Sequence, residues 1–485
     1  MKQFLIIALM VLSPFWTAGQ GTDNVWTLQK CVDYAIEHNL TIQRNQLGVA
    51  LNEVNLNQSK MAMLPNLNGG ASFGVNWGRN VDPTSYQFIT ERLENSNLNL
   101  SSSVILYNGG RVRNTIKQSQ KNYEQSKFDL EKVKNDMVLS VVVYYTNVIF
   151  NNELYENAKK QLNSTQQQVS TTRSRVDAGV FPQSTLLDLL AQLATNEVNV
   201  INAENNWNFS VLQLKQSLQL PASSDLVVEI PDIELDEGDL AGIVADNVFS
   251  IAVNNMPEVK SAELGIGSSM LGLKIAQSGY LPRLNLNAGL STNYSSFAAD
   301  RGRFIADGGV PIMVNAPVGV VNISGTDYQV YDPVEIPSGT FTSDYPAMDQ
   351  FNDNLGEYVS LGLSIPIFNG LQANSAVQRA RIGINQAEIT ALETKQMLRQ
   401  NIESAYNDVI AATKSYSSSQ KQVEAQEESF RATKQRYDNG VMNFVDYQIA
   451  ENNLFQSRSD LLRAKYDYIF KLKVLDFYQG KTLEF

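Results

Sequence analysis

The sequence predicts an α+β membrane protein in which long coiled-coil helices are joined to a few transmembrane β-strands. Three observations predict this fold class: the 485-residue chain contains two related copies, each copy holds one hairpin of alternating polar and apolar residues, and each holds a proline-free stretch of 69 residues. Because both copies carry the same pieces in the same order, we expect one pseudosymmetric body and not two unrelated domains.

The two copies are recognised by landmarks that recur at fixed spacing. The spacing is 217 residues for an early landmark and 261 for a later one, so the second copy carries 44 extra residues between them. We predict a first repeat over residues 20–240 and a second over 241–485. The early landmark is Leu64-Pro65 with Leu281-Pro282, and the later one is Tyr107-Asn108-Gly109 with Phe368-Asn369-Gly370.

The first 19 residues have the pattern of a cleavable secretory signal. Lys2 precedes an apolar stretch over 4–12, and small residues follow at 17–19, which is the order of charge, apolar region and cleavage site in such signals. The apolar run is far shorter than the ~20 residues of a membrane-spanning helix. We therefore predict that residues 1–19 are a signal peptide and not a membrane anchor.

The composition argues against a nucleic-acid-binding protein and against an enzyme. The net charge is -12, whereas nucleic-acid binding needs clustered Lys and Arg. His38 is the only histidine, and beside Glu37 and Asn39 it is typical of an exposed helix end, so no triad or zinc site is expected. The single cysteine, Cys31, is expected to be a small buried residue. We predict no catalytic residue, no cofactor and no metal.

Each copy begins with a helical sequence and then changes to strands. Helices are predicted over 27–63 and 247–279, and Pro65 ends the first of them. Beyond each helix, apolar residues alternate with polar ones, which is the pattern of half-exposed strands. Each copy therefore supplies one hairpin. The predicted strands are about 66–77 and 97–106 in the first copy and about 284–295 and 358–368 in the second.

Four strands of about ten residues are better explained by a membrane than by a soluble sandwich, which would need many more strands. A strand of ~9–11 residues crosses a bilayer when tilted. Four strands cannot close a useful barrel, and an open sheet would leave unpaired backbone groups in hydrocarbon. We therefore expect several chains to share one barrel, and three chains would give twelve strands. The extra residues, 296–356, are expected to form a long external loop.

The proline-free stretches 110–178 and 371–439 predict two helices about 100 Å long. Apolar residues recur at sevens through both, which predicts left-handed coiled packing. Shorter return helices are predicted at 184–219 and 444–478, and the acidic segment 225–239 is expected to link the copies. The first stripe is Ile116, Tyr123, Leu130 and Met137, then Val141, Val148, Tyr155, Leu162, Val169 and Val176, and the second lies 261 residues later.

Short motifs spread along both copies follow the pattern of one membrane-protein family. They are Leu28, Cys31, Ala35, Ile36 and Asn39; Leu64-Pro65 and Leu281-Pro282; Asn108-Gly109-Gly110-Arg111; Asp177-Ala178-Gly179-Val180 with Asp188; and Tyr437-Asp438-Asn439-Gly440 with Asp446. Each motif is weak alone, but their order and duplication are specific. The chain resembles the TolC family of outer-membrane efflux proteins.

The resemblance implies a homotrimer with a long coiled-coil α-helical barrel continuous with a transmembrane β-barrel, with four strands per chain and twelve in the trimer. The β-barrel would lie in outer-membrane lipid of a Gram-negative bacterium, and the helices would cross the periplasm. It also implies a passive exit duct of a tripartite efflux or type I secretion system, docking a periplasmic adaptor (membrane fusion) protein and, through it, an inner-membrane pump. A non-conducting coiled-coil envelope spacer is the alternative.

The resemblance assigns the far ends of the long helices to a periplasmic tip that closes the duct at rest. In similar proteins a tip tyrosine bonds to an aspartate of a neighbouring helix pair, and the matched positions are Tyr437 and Asp188. Asp446 matches an aspartate that rings the entrance, whereas the family's tip arginine falls on Met442. The tip-loop residues that would contact the adaptor are Gly179, Val180, Gly440 and Val441.

Two interpretations of the tip aspartates stay open. One carboxylate per chain at Asp446 becomes three around a narrow axis, a ring that attracts cations. Alternatively, Asp188 and Asp446 only cap the helices that follow the loops. Gly179 and Gly440 are expected to supply positive φ at the helix ends under either interpretation. The sequence does not identify the cargo or the pump, although small-molecule efflux is the preferred use.

Overall fold

The protein was analysed as a computed structural model, which describes residues 25–81, 88–90, 92–230 and 244–481. The predicted signal peptide, residues 1–19, lies outside these ranges. Across the described ranges, no helix combines the length and the apolar character that crossing a bilayer would require.

Two helices of 67 residues each dominate the secondary structure. The helices are α1 (Leu28–His38), α2 (Leu40–Met61), α3 (Arg111–Asp177), α4 (Gln183–Ser217), α5 (Ala245–Asn255), α6 (Pro257–Gln277), α7 (Ser296–Arg301), α8 (Ala347–Asp353), α9 (Gln372–Asp438) and α10 (Phe444–Gln479). The strands are β1 (Val25–Trp26), β2 (Asn66–Asn76), β3 (Asn80–Val81), β4 (Phe88–Ile89), β5 (Leu93–Tyr107), β6 (Val227–Val228), β7 (Arg283–Ser295), β8 (Phe304–Ala306), β9 (Ile312–Ile323), β10 (Thr326–Ile336), β11 (Gly339–Phe341) and β12 (Gly356–Ser364).

The helix predicted over 27–63 is broken at Asn39, so the prediction of one continuous helix was wrong. Asn39 has extended backbone, with φ -66 and ψ 125. Its side-chain oxygen accepts hydrogen bonds from the backbone N–H groups of Thr41 at 2.8 Å and Ile42 at 3.3 Å. The asparagine therefore ends α1 and caps α2, a use for which its short polar side chain is suited.

The helix predicted over 247–279 is broken at the equivalent place, Met256, so this prediction was also wrong. Met256 is extended, with φ -65 and ψ 129, because the following Pro257 disfavours helical backbone at the residue before it. Pro257 then takes the first position of α6, where its missing N–H is not needed. The first helix of each copy is thus interrupted at the equivalent position, by Asn39 in one copy and by Met256 before Pro257 in the other.

One four-stranded antiparallel sheet takes a hairpin from each copy, in the order β12-β7-β5-β2. β5 and β7 form the central pair, in which Leu100 lies opposite Leu290. β5 begins at Leu93, before the predicted 97, because Leu93 still pairs with Asn76 of β2. β2 and β12 are the edge strands, and their outer edges pair with no other strand in the described part of the chain.

Residues 296–356, expected to be a long external loop, contain secondary structure of their own, while their external position stays a prediction. β8 pairs with β11, and β9 pairs with β10 in a hairpin that closes at Ser324 and Gly325. Both turn residues have positive φ, 54 and 86, as a tight two-residue turn requires. The strands form because valine, isoleucine and tyrosine, which favour extended backbone, are frequent between the glycines and prolines.

The described residues fall into two compact units that do not follow the two sequence repeats. Each repeat supplies its two strands of the four-stranded sheet to unit 2 and the larger part of its helices to unit 1, so neither repeat is a separate domain. Unit 1 takes the residues up to Glu53, Lys121–Ile266 and the residues from Gln386 onward, and unit 2 takes Val54–Gln120 and Gly267–Asn385.

The core of unit 1 uses the heptad stripes of α3 and α9 in equivalent ways. Val141 of α3 and Ile402 of α9, 261 residues apart, are both fully buried. The first packs in a cluster with α1, α4 and α10, and the second in a cluster with α5, α6 and α10. Cys31 lies in the first cluster, and burial raises the pKa of its thiol to about 12. The expectation of a small buried cysteine is confirmed.

Candidate functional site

The loops that follow α3 and α9 have the same backbone conformation. Gly179 and Gly440 have φ of 74 and 72. The N–H of Val180 donates at 2.8 Å to the carbonyl five residues before it, and the N–H of Val441 does so at 2.9 Å. A left-handed glycine with this hydrogen bond is the Schellman motif that ends helices. No atom lies within 4 Å of a Cβ built on either glycine, so the positive φ, not lack of space, requires glycine.

The residue after each of these glycines presents an apolar side chain to solvent. Val180 is 66% exposed and Val441 is 78% exposed. In many Schellman motifs this residue packs against the preceding helix, but neither valine is covered by its own chain. The apex of each loop therefore offers an apolar group for contact with another molecule.

Asp446 takes part in the cap of α10. Its N–H donates to Asn443 Oδ1 at 2.8 Å, and Asn443 Nδ2 donates back to Asp446 Oδ2 at 2.8 Å. This reciprocal pair resembles a capping box and satisfies a backbone group that the helix leaves free. The Asp446 carboxylate remains exposed. Its capping role is therefore present in the structure, while a ring of three such carboxylates stays a prediction.

Asp188 does not cap the helix that follows the first loop, so that interpretation was wrong for this residue. α4 begins at Gln183 with Pro182 at the cap position and no side-chain hydrogen bond there. Asp188 lies in the second turn of α4, and its side chain is exposed. The two loops therefore have the same helix ends but different helix starts.

Tyr437 lies inside a group of aromatic rings that we call the tip cluster: Phe181, Tyr437, Phe444 and Tyr447. The Tyr437 ring lies 4.7 Å from that of Tyr447, 6.0 Å from that of Phe181 and 6.2 Å from that of Phe444. Its hydroxyl is buried and makes no hydrogen bond of acceptable geometry, although Thr172 lies beside it. Burial raises the pKa of this hydroxyl. Within one chain, the predicted bond from Tyr437 to Asp188 is not made.

A buried acid lies next to the tip cluster. Glu451 is 5% exposed and accepts hydrogen bonds from Ser164 Oγ at 2.9 Å and Gln168 Nε2 at 2.7 Å. The same Gln168 nitrogen donates to the Tyr447 hydroxyl at 2.8 Å. Burial raises the pKa of the Glu451 carboxyl, while the two hydrogen bonds and the positive charge of Lys434 oppose that shift. We call Ser164, Gln168, Tyr447 and Glu451 the tip network.

A second chain of polar side chains, buried at Thr165 and Asn196 and half-buried at Gln192 and Gln448, connects α3, α4 and α10 nearby. Asn196 Nδ2 donates to Thr165 Oγ1 at 2.8 Å, Gln192 Nε2 donates to Asn196 Oδ1 at 2.9 Å, and Gln448 Nε2 donates to Gln192 Oε1. Because these amides are directional, they fix the register of the three helices more strictly than apolar contacts would.

Sequence reasoning missed the tip network, although one signal was available. Tyr447, Glu451 and Leu454 are spaced four and three residues apart, which places them on one face of a helix. All three are buried, so the acid occupies a core position. A carboxylate at such a position needs hydrogen-bond partners from a neighbouring helix, and the amide-rich sequence of α3 was the available source.

The site is a packed helical end and contains no recognisable catalytic grouping. Within the described ranges, no three or more His, Cys, Asp or Glu side chains are placed to hold a metal ion. The features that the site offers to other molecules are the two exposed valines and the exposed carboxylates of Asp188 and Asp446.

Comparison with known proteins identifies the family. The model of the family described as "Outer membrane efflux protein" matches residues 31–218 and 248–480. The outer membrane protein TolC of Escherichia coli (strain K12) is 20% identical over 416 residues, which are 85% of this chain and 74% of that protein. The outer membrane efflux protein BepC of Brucella suis biovar 1 is 19% identical over 468 residues, which are 96% and 87% of the two chains.

Solved structures share the fold at low sequence identity. The outer membrane protein VceC from Vibrio cholerae gives a TM-score of 0.72 at 13% identity, covering 94% of this chain and 97% of that one. The CmeC outer membrane channel of Campylobacter jejuni gives 0.72 at 17% identity, covering 94% and 86%. None of the relatives named here is described as an enzyme. The chain belongs to the outer membrane efflux protein family.

Proposed function

We propose that the protein is the outer-membrane exit duct of a tripartite efflux or type I secretion system in a Gram-negative bacterium. It would act as a passive homotrimeric channel that docks a periplasmic adaptor and, through it, an inner-membrane pump. The family match and the shared fold of outer-membrane channels support this proposal. Small-molecule efflux is the preferred use, with the cargo selected by the pump.

The observation that carries the proposal is the chemistry of the four-stranded sheet. Residues that lie directly opposite one another share a face, and Leu361 lies opposite Leu286, which lies opposite Val104. The other face carries Ser360 opposite Asn287. This row is apolar across β12, β7 and β5, and most side chains on its side of the sheet are apolar, whereas those on the other side are mostly polar. This is the pattern of a barrel wall with lipid outside and water inside.

The apolar face is not covered within its unit. Leu67, Val359 and Leu361 are 70%, 75% and 62% exposed, which is far from the burial of core residues in a soluble sheet. The outer edges of β2 and β12 also lack partners in the described part of the chain. Pairing β12 of one copy with β2 of the next would satisfy both edges, and three copies would close a twelve-stranded barrel.

The same sheet argues against a coiled-coil spacer that conducts nothing. A spacer needs only the heptad stripes of α3 and α9, and it has no use for a sheet with one apolar and one polar face. The polar face, rich in asparagine and serine, is instead suited to line a water-filled passage.

The two exposed valines are the surface that we propose for the adaptor. Val180 and Val441 lie at the apices of equivalent loops, so a trimer would present six apolar contact points in a ring. The two loops differ, because only the second is followed by the cap of Asn443 and Asp446. An adaptor would therefore meet two kinds of site that alternate around the ring. This arrangement would suit a partner that binds either three or six times around the ring.

A pair of charge substitutions tests the proposed barrel. Leu361→Lys places a charge on the apolar face and should prevent outer-membrane assembly, since Lys at the centre of a lipid-facing strand costs about 2–4 kcal/mol. Ser360→Lys, the neighbour on the polar face, should assemble normally. Heat-modifiable trimers in outer-membrane fractions report assembly. Equal assembly of both variants would contradict a lipid-facing sheet.

A further inference from the structure

The hairpin of β9 and β10, which we call the outer hairpin (residues 312–336), has one apolar face. Opposed residues share a face of a two-stranded ribbon, and three opposed pairs on this side are aliphatic or aromatic. All six side chains are between 40% and 55% exposed. In this subsection "the apolar face" means this side of the outer hairpin, not of the four-stranded sheet. The pairs are Ile312 with Ile336, Val314 with Val334, and Val321 with Tyr328.

The opposite face of the outer hairpin is mixed and makes its own polar contacts. Asn322 Nδ2 donates to Asp327 Oδ1 at 2.5 Å, and the Tyr331 hydroxyl donates to Gln329 Oε1 at 2.6 Å. These bonds need no other element. The two faces therefore differ in composition. On the mixed face, exposed apolar side chains such as Met313 and Val320 (56% and 59% exposed) lie among polar ones, whereas the apolar face exposes mainly apolar area.

Lipid is a poor occupant for the apolar face. β9 and β10 form a two-stranded sheet by themselves, so their outer edges would remain unpaired in hydrocarbon. The outer hairpin contains three acidic residues and no Lys or Arg, whereas membrane-surface elements carry basic residues for lipid phosphates. The strand alternation also places Asp332 in the middle of the apolar face, where its carboxylate would be costly among acyl chains.

The position of the outer hairpin favours a second copy of this chain as the occupant. The hairpin is inserted between β7 and β12, and β12 is the edge strand at which a neighbouring copy pairs in the proposed trimer. Three outer hairpins would therefore emerge at the same rim. Asp327 and Glu335 lie on the mixed face, so Asp332 is the acidic side chain of each outer hairpin that the contact would bring near its counterparts.

The size of the apolar face fits copies that are already held together. Eleven residues at ~3.3 Å by two strands about 10 Å wide give roughly 350 Å² per copy, well below the ~800 Å² per partner of a stable free interface. Tethering by the shared sheet raises the effective concentration enough for a small contact to form. We propose that the apolar faces of the outer hairpins of three copies pack against one another. This inference rests on the trimer of the proposed function.

Cysteine cross-linking tests the contact with a matched pair of valines. Val321→Cys lies on the apolar face, while Val320→Cys, its neighbour, lies on the mixed face; the native residues are 47% and 59% exposed. The native Cys31 is fully buried and stays in place. With a short bis-maleimide added to the assembled protein, Val321→Cys should give cross-linked dimers on a denaturing gel, several-fold more than Val320→Cys gives.

The other possible outcomes distinguish failure of the hairpin contact from failure of the proposed trimer. An intact trimer with no cross-link at Val321→Cys, or with equal cross-links at both positions, overturns the hairpin contact and leaves the duct standing. If Val321→Cys does not assemble, Val330→Cys on the same face replaces it, with Gln329→Cys as its neighbour. Cross-linking of a benzophenone at position 330 to lipid or to another protein also overturns the proposal. A purified protein that is only monomeric overturns the proposed function itself.

Discussion

The Glu451 carboxylate on α10 accepts a hydrogen bond of 2.7 Å from Gln168 Nε2 on α3 while remaining 5% exposed. The carboxylate is thus stabilised by neutral donors, with the charge of Lys434 as its electrostatic partner. A buried acid without a close ion pair destabilises its surroundings when ionised, so this contact makes the stability of the tip network dependent on pH.

The first prediction concerns that pH dependence. Burial raises the pKa of Glu451 above its unfolded value of ~4.3, so the folded state binds its proton more tightly. The stability gained from protonation is complete below the unfolded pKa and is lost as pH rises through the raised folded pKa. Glu451→Gln should therefore stabilise the tip at pH 7.5 and have little effect at pH 4.

Hydrogen exchange of the α3 and α10 amides near Ser164 and Glu451, measured at both pH values, checks this prediction. Glu424→Gln, an exposed glutamate of α9, is the control and should change neither profile. Faster exchange in Glu451→Gln at pH 7.5 would show that the ionised carboxylate is required by its hydrogen-bond donors.

The second prediction compares two uncrowded glycines that differ in backbone conformation, one after the end of α9 and one inside it. Gly440→Ala should destabilise the end of α9 by about 1–2 kcal/mol because its φ of 72 is unfavourable for residues with a Cβ. Gly383→Ala lies inside α9, also with no atom near a built Cβ, and should stabilise it by about 0.5–1 kcal/mol. Thermal unfolding measures both, and a neutral Gly440→Ala would contradict the Schellman motif.

The third prediction compares two neighbouring tyrosines. Tyr437→Phe removes a buried hydroxyl that makes no hydrogen bond of acceptable geometry to its neighbour Thr172, so stability and resting conductance should both stay unchanged. Tyr447→Phe removes the acceptor of Gln168 and should cost about 1 kcal/mol. A large increase in resting conductance in Tyr437→Phe alone would instead support a latch between Tyr437 and an aspartate of another chain.

The fourth prediction distinguishes the two roles of Asp446. Asp446→Asn keeps an oxygen that can accept from Asn443 Nδ2 but removes the charge, so the helix should persist while cation preference of the channel falls. Asn443→Ala removes the cap at a cost of about 1 kcal/mol but keeps the carboxylate, so selectivity should persist. Single-channel reversal potentials in a salt gradient separate the two. Unchanged selectivity in Asp446→Asn would leave only the capping role.

The parts of the fold that the sequence predicted well are those with a repeated local signal. The heptad stripes of α3 and α9 are long enough for their period to be unambiguous, and Gly179 and Gly440 marked the helix ends because positive φ favours glycine. The four sheet strands were found by their alternation, although β12 ends at Ser364, four residues before the predicted end.

The parts that were missed depend on single residues or on distant partners. Asn39 breaks a helix whose apolar pattern continues on both sides, and only the cap geometry shows that break. The break at Met256 did have a sequence signal, the following Pro257. The outer hairpin lies in a segment that also contains many glycines and prolines, and these turn-forming residues obscure the signal of its strand-forming valines. Glu451 could not be assigned from α10 alone, because Ser164 and Gln168, which stabilise it, lie almost 300 residues earlier in the chain.

Planar-bilayer recording on purified protein of measured mass tests the central claim most directly. The mass should be that of three chains, and the protein should give discrete unitary currents, with the polar face of the twelve-stranded barrel lining the conducting path. Ser360→Lys, on that face, should alter the unitary conductance without preventing insertion. A protein with the mass of one chain, or a trimer that inserts but gives no unitary currents, would contradict the account.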